Sequence, residues 1–343
     1  MALEGKSLKK VYAFLLAAVL ALLTACSSNS TEDASKDETD KEVNENKTVA
    51  HESVEKQEVG LTLENDGTDE EKFNEALSQF SEAVPERIIT TSVPLTEMLH
   101  LLDITPVGVP TSTNPLPQDF ESIDKIGSPM APDLEVVTNL KPDLILGAES
   151  LRSTLEKNLE GMNMSTAYLR TDSFDDLKRS FKVLGTYFNK TDKMNEKMQM
   201  ILDKENELTK LAEGKKLPTV MLMIGTSDSF MVMNEKSYLG SLVERLGADN
   251  IATTVLKATD TYSPMNMEEI VVADPDIILV LASGDHGASE EMFQKEVESN
   301  DTWTKLSAYQ NDKIHILDYD VFGVTSISNV EKALTEIASY FFE

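Results

Sequence analysis

The chain is poor in cysteine, arginine and histidine, and each shortage removes a class of function. Its one cysteine cannot form an intrachain disulfide and rules out a cysteine-rich metal cluster. Lys and Arg number 31 against 60 Asp and Glu, a formal net charge of −29, and five of the 31 are arginine. Without a local basic patch such a chain repels a phosphate backbone, which excludes a nucleic-acid partner. A bare Zn²⁺ or Mn²⁺ site wants several converging histidines and carboxylates, yet His100, His286 and His315 are widely spread. Enzyme motifs are also missing: there is no G-x-S-x-G elbow, no P-loop and no G-x-G-x-x-G after a strand. Ser283 with His286 is the only local serine–histidine pairing, so an enzyme is not expected. The 343 residues do suffice for two lobes with sizeable cores.

What is present begins with a leader. Lys6, Lys9 and Lys10 precede an apolar run from Val11 to Leu23, and Leu23-Thr24-Ala25-Cys26 follows. This resembles a bacterial lipoprotein signal, in which residues 1–25 are removed and the Cys26 thiol is lipidated, palmitate being one such acyl chain. A plain transmembrane anchor is the alternative, but the run falls short of about 20 apolar residues. Lipidation predicts a chain held on the outer face of a bacterial cell membrane, in a Gram-positive arrangement, since two or more acyl chains anchor stably. Residues 26–84 are then expected to be a disordered acidic tether. Between 27 and 86 there are 18 Asp and Glu against 5 Lys, a net of −13 with few aromatics. Such a segment cannot bury enough apolar surface to offset its ordering entropy. Within it, residues 69–80 predict a transient helix, and His51 is simply solvated.

From Pro85 onward short apolar runs alternate with helical patterns. "RIITTSV" (87–93), "PVGVPTS" (106–112) and "DLILG" (143–147) predict strands, and Pro94 opens an amphipathic helix with Leu95, Met98, Leu99 and Leu102 on one face. His100 points off that face and is expected to be exposed. Residues 173–216 carry only helical periodicity, and strand–helix alternation resumes at "PTVMLMIG" (218–225). The chain also repeats itself. Ser128-Pro129-Met130 leads through "EVVTNLKPDLIL", and Ser263-Pro264-Met265 leads through "EEIVVADPDIIL", two residues shorter. Glu135 and Glu268 stand at the same offset, eight residues before Asp143 and Asp276. The prediction is an α/β fold of two lobes with mostly parallel sheets, at 85–172 and 217–343, joined by a helical backbone at 173–216.

Region 85–343 resembles the substrate-binding proteins of the helical-backbone class that serve ABC importers of iron complexes, haem and cobalamin. Within that class "RIITTSVPLTEML", "VGVPTS", "IGSPMAPDLEVV", "NEKSYLGSLV", "MFQKEV" and "FGVT" closely resemble the haem-receptor lipoproteins of the iron-regulated surface determinant system. The resemblance implies a class III binding fold and haem (iron protoporphyrin IX) held in the cleft between lobes. It implies a methionine ligand from a "GxPM" loop, here Met130, and a second-lobe histidine, here His286 beside Gly287. In ungapped register Ser283-Gly284 stands opposite that His-Gly, a three-residue offset close to one helical turn. Tyr262 and Met265 are the fallback ligands, and His315, within "KIHILD", is read as structural. The resemblance also implies haem propionates near Val93, Ser112 and Thr113, with the Ser92 hydroxyl beside them, and amide groups at a helix start suit carboxylates. By the same resemblance Glu135 and Glu268 meet arginines of an ABC permease, surface proteins donate the haem, and the receptor is a monomer. A ferric siderophore or cobalamin on the same fold is the alternative cargo, although anionic siderophores usually call for arginines.

Overall fold

In both halves of the chain an apolar run that follows Pro-Asp becomes a buried parallel strand. The computed structural model describes residues 60–225, 229–282 and 287–342. The first lobe runs through α1 (Glu70–Leu77), β1 (Ile88–Thr90), α2 (Val93–Leu101), β2 (Gly127–Ser128), β3 (Ala131–Pro132), α3 (Leu134–Leu140), β4 (Leu144–Ala148), α4 (Arg152–Asn158) and β5 (Thr166–Leu169). Its sheet has the parallel order β1-β4-β5. The strand expected at 106–112 does lie beside β1, with Val107 N–H donating to Ile88 and Thr90 N–H to Gly108. Pro106 and Pro110 have no N–H to give, so its pairing shrinks to bridges at Gly108 and Val109.

Two helices form the backbone, α5 (Phe174–Tyr187) and the 22-residue α6 (Thr191–Ala212), the latter about 33 Å long at 1.5 Å per residue. The stripe of Phe174, Leu177, Phe181 and Leu184 faces the core, as does that of Met194, Met198, Ile201 and Leu202. A buried charge cluster also binds these helices together. Lys178, 2% exposed, lies 3.2 Å from Glu205, 1% exposed, and Glu205 is also 3.0 Å from Arg245 of the second lobe.

That lobe comprises β6 (Thr219–Gly225), β7 (Phe230–Met233), α7 (Tyr238–Arg245), β8 (Asp249–Asn250), α8 (Ile251–Thr254), β9 (Tyr262–Pro264), α9 (Met267–Ala273), β10 (Ile277–Ala282), α10 (Ala288–Ser299), α11 (Ser307–Gln310), β11 (Ile314–Ile316), α12 (Tyr319–Phe322) and α13 (Val330–Phe342). The sheet order is β11-β10-β6-β7-β9, with β8 beside β6. Pairing is parallel except at β7, which runs antiparallel to both β6 and β9. Among the described residues no helix is long and apolar enough to cross a membrane.

Residues 60–84 correct the expectation of a tether reaching residue 84. Asp69 caps α1, and Phe73 is buried in the main core. Leu61 exchanges two 2.8 Å hydrogen bonds with the Asn206 side chain. The Gln79 amide pairs with the N–H and C=O of Tyr168 at 3.0 and 2.8 Å, covering the free edge of β5 as a neighbouring strand would. Lysines 178 and 182 reach into this segment, Lys182 lying 3.1 Å from Asp66 and 3.4 Å from Glu70. The average composition of 27–86 concealed a local stretch with its own apolar anchor and counter-charges. Residues 26–59 lie outside the described residues, as does the 1–25 leader.

Candidate functional site

Strand direction decides what faces what between the lobes. Loops at the carboxyl ends of parallel strands line the ligand crevice of open α/β sheets. Here they contribute to a cleft of about 1280 Å³ lined by Glu149, Ser150 and Arg152 of the first lobe, Asp172 of the connection, and Tyr262 and Thr325 of the second. Three of the five arginines line it, Arg152, Arg170 and Arg179, and all are already matched by acids. Arg152 grips both Glu149 oxygens at 2.7 to 3.0 Å and stacks 4.4 Å above the Tyr168 ring. Arg179 pairs with Asp176, and Arg170 lies 3.6 Å from Asp172 and 3.8 Å from Asp176. None of these guanidinium groups is left to meet an anionic cargo alone.

Met130 is absent from that wall and occupies a position of its own. Ser128 pairs with Ala131 and Gly127 with Pro132, so Pro129 and Met130 form the two-residue tip of the β2–β3 ribbon. The Asn158 side chain donates to the Met130 carbonyl at 2.9 Å, and Met130 N–H donates to Ser128 Oγ at 3.3 Å. The backbone is held while 62% of the residue is exposed. Thr111 N–H donates to the Gly127 carbonyl at 2.8 Å, which sets the loop bearing Ser112 and Thr113 beside the ribbon. Ser92 and Val93 leave the neighbouring strand β1 at the same sheet edge.

Helix α2 starts with spare donors. Ser92 occupies its N-cap without making a side-chain cap, and Thr96 N–H and Oγ1–H both donate to the Ser92 carbonyl instead. Pro94 lacks an N–H, which leaves Val93 and Leu95 as the open amides of the first turn. The buried Thr91 hydroxyl beside them has no partner among the described residues. Such a helix start suits a carboxylate.

The fallback ligands separate cleanly. Met265 packs against the second-lobe core cluster, so its thioether is committed to packing. Tyr262 lines the cleft with 48% exposed, but packing around the remainder and the Asp172 carboxylate push its phenol up. A phenolate ligand is thereby disfavoured. Asp172 is itself raised, by burial above all. His286 and Cys26 lie outside the described residues. His100 is half-buried, 3.2 Å from Asp119, rather than fully exposed. His315 stacks on Tyr340 with ring centroids 4.5 Å apart, and burial pushes its imidazole down.

Glu135 and Glu268 are both exposed in the first turns of α3 and α9. Each helix is seven residues long, is capped by an Asx side chain (Asp133, Asn266) and ends on a left-handed residue, Lys141 or Asp274. The carboxylate of the following Pro-Asp then secures the first strand of its lobe. Asp143 accepts from the N–H groups of Glu86 and Arg87 at 2.8 and 2.9 Å, and Asp276 accepts from Thr219 N–H and Oγ1–H at 2.9 and 3.0 Å. Glu86–Asp143 and Thr219–Asp276 both span 57 positions.

Two lobes of this topology about a helical backbone are what the comparisons with known proteins also return. The family model of periplasmic binding proteins matches residues 88–321. The chain belongs to the periplasmic binding protein family. It is 35% identical over 265 residues to the high-affinity heme uptake system protein IsdE of Staphylococcus aureus (strain MRSA252), covering 75% of this chain and 87% of that one. The crystal structure of S. aureus IsdE complexed with heme superposes with a TM-score of 0.68 at 32% identity, over 75% of this chain and 99% of the other. An ABC transporter substrate-binding protein from Listeria monocytogenes EGD-e gives 0.69 at 31%, over 76% and 99%. S. aureus SirA complexed with staphyloferrin B, at 20% identity and a TM-score of 0.64, shares the fold alone. This periplasmic binding protein is thus a substrate-binding protein of an ABC importer, a family of solute-binding transport proteins that work with ABC permeases.

The sequence reading missed one residue at the junction of the lobes. Ser326 Oγ–H donates to Glu97 of α2 at 2.7 Å, across 229 positions of chain. The one acid on a mostly apolar helix was the available signal.

Proposed function

We propose that this chain is a lipid-anchored haem receptor that captures haem between its lobes and delivers it to an ABC permease for iron acquisition. The observation that carries this reading is Met130, an exposed thioether on a ribbon tip whose backbone is held from both sides. A core methionine needs no such presentation. His286 is the proposed second axial ligand. A neutral imidazole with a soft thioether gives low-spin six-coordinate haem, as in cytochromes c. The propionates are assigned to the start of α2 and the adjoining loop, at Ser92, Val93, Ser112 and Thr113. Glu135 and Glu268 are the proposed contacts to permease arginines, exposed pairs that contribute more to orientation than to affinity. Lipidation at Cys26 holds the receptor at the outer face of the membrane, as a monomer, where surface proteins pass it haem.

A ferric siderophore is disfavoured because the cleft arginines are already neutralised by neighbouring acids. Titration of the purified chain with haemin should give a Soret band and a low-spin spectrum. Met130→Ala and His286→Ala should each change the spectrum or speed haem loss by tenfold or more, equivalent to about 1.4 kcal/mol. An unchanged spectrum and off-rate in Met130→Ala removes that residue from the site, and no optical change in the parent chain removes haem.

A further inference from the structure

Helix α2 of the first lobe meets the loop after Thr325 of the second lobe at Glu97. Glu97 lies on α2, one helical turn beyond Val93, and it is half-buried, off the face on which Leu95, Met98 and Leu99 are fully buried. Its partner Ser326 follows Thr325, which lines the cleft from the second lobe. The Ser328 backbone N–H also faces the Glu97 carboxyl and favours its charged form. The Ser326 contact crosses between the lobes.

We infer that the Glu97 carboxyl and the Ser326 hydroxyl form a proton-operated latch between the lobes, holding the start of α2 in register with the Thr325 loop. Glu97 is a positioning residue, since it acts through the two segments it joins.

Every charged or titratable neighbour can be named. Lys197 of α6 is the cation facing Glu97, and it is 2.5 Å from Glu331 of α13, so its charge is shared. Tyr238 of α7 is buried, donates to the Ser326 carbonyl at 3.4 Å, and has its phenol pushed up by burial and then by Glu97, so it stays neutral. Burial therefore dominates, and it pushes the Glu97 carboxyl from 4.5 up to about 7, against the Ser326 hydrogen bond, the facing Ser328 backbone N–H and Lys197. Opening the junction hydrates the carboxyl and returns it toward 4.5. Between those two values the closed junction binds more protons than the open one. Closure is thus favoured at low pH and weakens as pH rises through about 7. The two values correspond to an opening equilibrium about tenfold larger at pH 8 than at pH 6.

The test uses the full chain without haem, so it is decided separately from the cargo. Amide hydrogen exchange of residues 322–329 is followed at pH 6 and pH 8 and corrected for the intrinsic pH dependence of exchange. The expected result is about tenfold weaker protection at pH 8. Glu97→Gln, which keeps shape and an acceptor, should remove that dependence. Ser326→Ala, which deletes a donor to the carboxylate, should move it to higher pH. Equal protection at both pH values in the parent chain, or the same slope retained in Glu97→Gln, overturns the latch. On the haem reading above, the latch also predicts faster haem loss at pH 8 than at pH 6, with the difference abolished in Glu97→Gln.

Discussion

The two Ser-Pro-Met segments show what two residues can do. From the Asx cap onward the halves match: Asp133 and Asn266 begin seven-residue helices, and Asp143 and Asp276 follow ten positions after their caps. Before the cap they diverge. Ala131 and Pro132, which form β3, have no counterpart in the second half. With that return strand Met130 sits at a hairpin tip in solvent. Without it Met265 leads straight into Asn266, its serine and proline join edge strand β9, and its side chain packs on the core. The same tripeptide is a presented group in one lobe and a packing group in the other, and backbone length before the cap decides which.

The largest contrast should come from truncating the two methionines. Met130→Ala should leave the unfolding free energy within about 0.5 kcal/mol of the parent, as surface changes do, while altering the haem spectrum. Met265→Ala should do the reverse, with about 2 kcal/mol lost by denaturant titration, the low end for a core methionine because the residue is half-buried. A spectral change in Met265→Ala with none in Met130→Ala would invert the assignment of the lobes.

Next in size is the pair of Pro-Asp carboxylates. Asp143→Ala and Asp276→Ala each remove a carboxylate that accepts two hydrogen bonds from the first strand of its lobe. Bonds to charged groups at such positions contribute about 1.5–3 kcal/mol. The exposed Asp143 should fall at or below the bottom of that range, and the more sheltered Asp276, which also orients the Thr219 hydroxyl, should cost more. Equal losses, measured by urea unfolding, would mean that shielding does not distinguish the two.

Much of this was legible because periodicity and punctuation agreed. Strands after Pro-Asp, the amphipathic faces of α2, α5 and α6, and the repeat itself follow from local patterns that tertiary packing reinforces. Residues 60–84 were misread because composition averages over a window, whereas order there depends on Phe73 and on two lysines more than a hundred positions away. Nothing in the periodicity of α6 singles out Glu205, and only the approach of Arg245 and Lys178 makes it a buried ion. At the first-lobe ribbon, the resemblance pointed to Met130. It could not supply the Asn158 contact or the Glu97 junction, both of which join segments far apart in the chain.

The smallest effect tests the helix ends, where the lobes again look alike and should respond with opposite sign. Lys141 and Asp274 both hold left-handed backbone, at φ 49° and 42°, a region that costs a residue with a β-carbon roughly 1 kcal/mol. Lys141 is exposed and contributes its carbonyl, which Arg87 reaches at 3.1 Å, a contact any residue retains. Lys141→Gly should therefore be neutral or stabilising by up to about 1 kcal/mol. Asp274 uses its side chain: its carboxylate accepts from Ser307 N–H and Oγ–H, both at 2.7 Å, and so fixes the start of α11. Asp274→Gly relieves the same backbone strain but loses two charge-assisted bonds, for a net loss of about 1 kcal/mol. Asp274→Asn, which keeps an acceptor, should lie between. If both glycine variants stabilise, the Ser307 contacts contribute nothing and the two helix ends are equivalent after all.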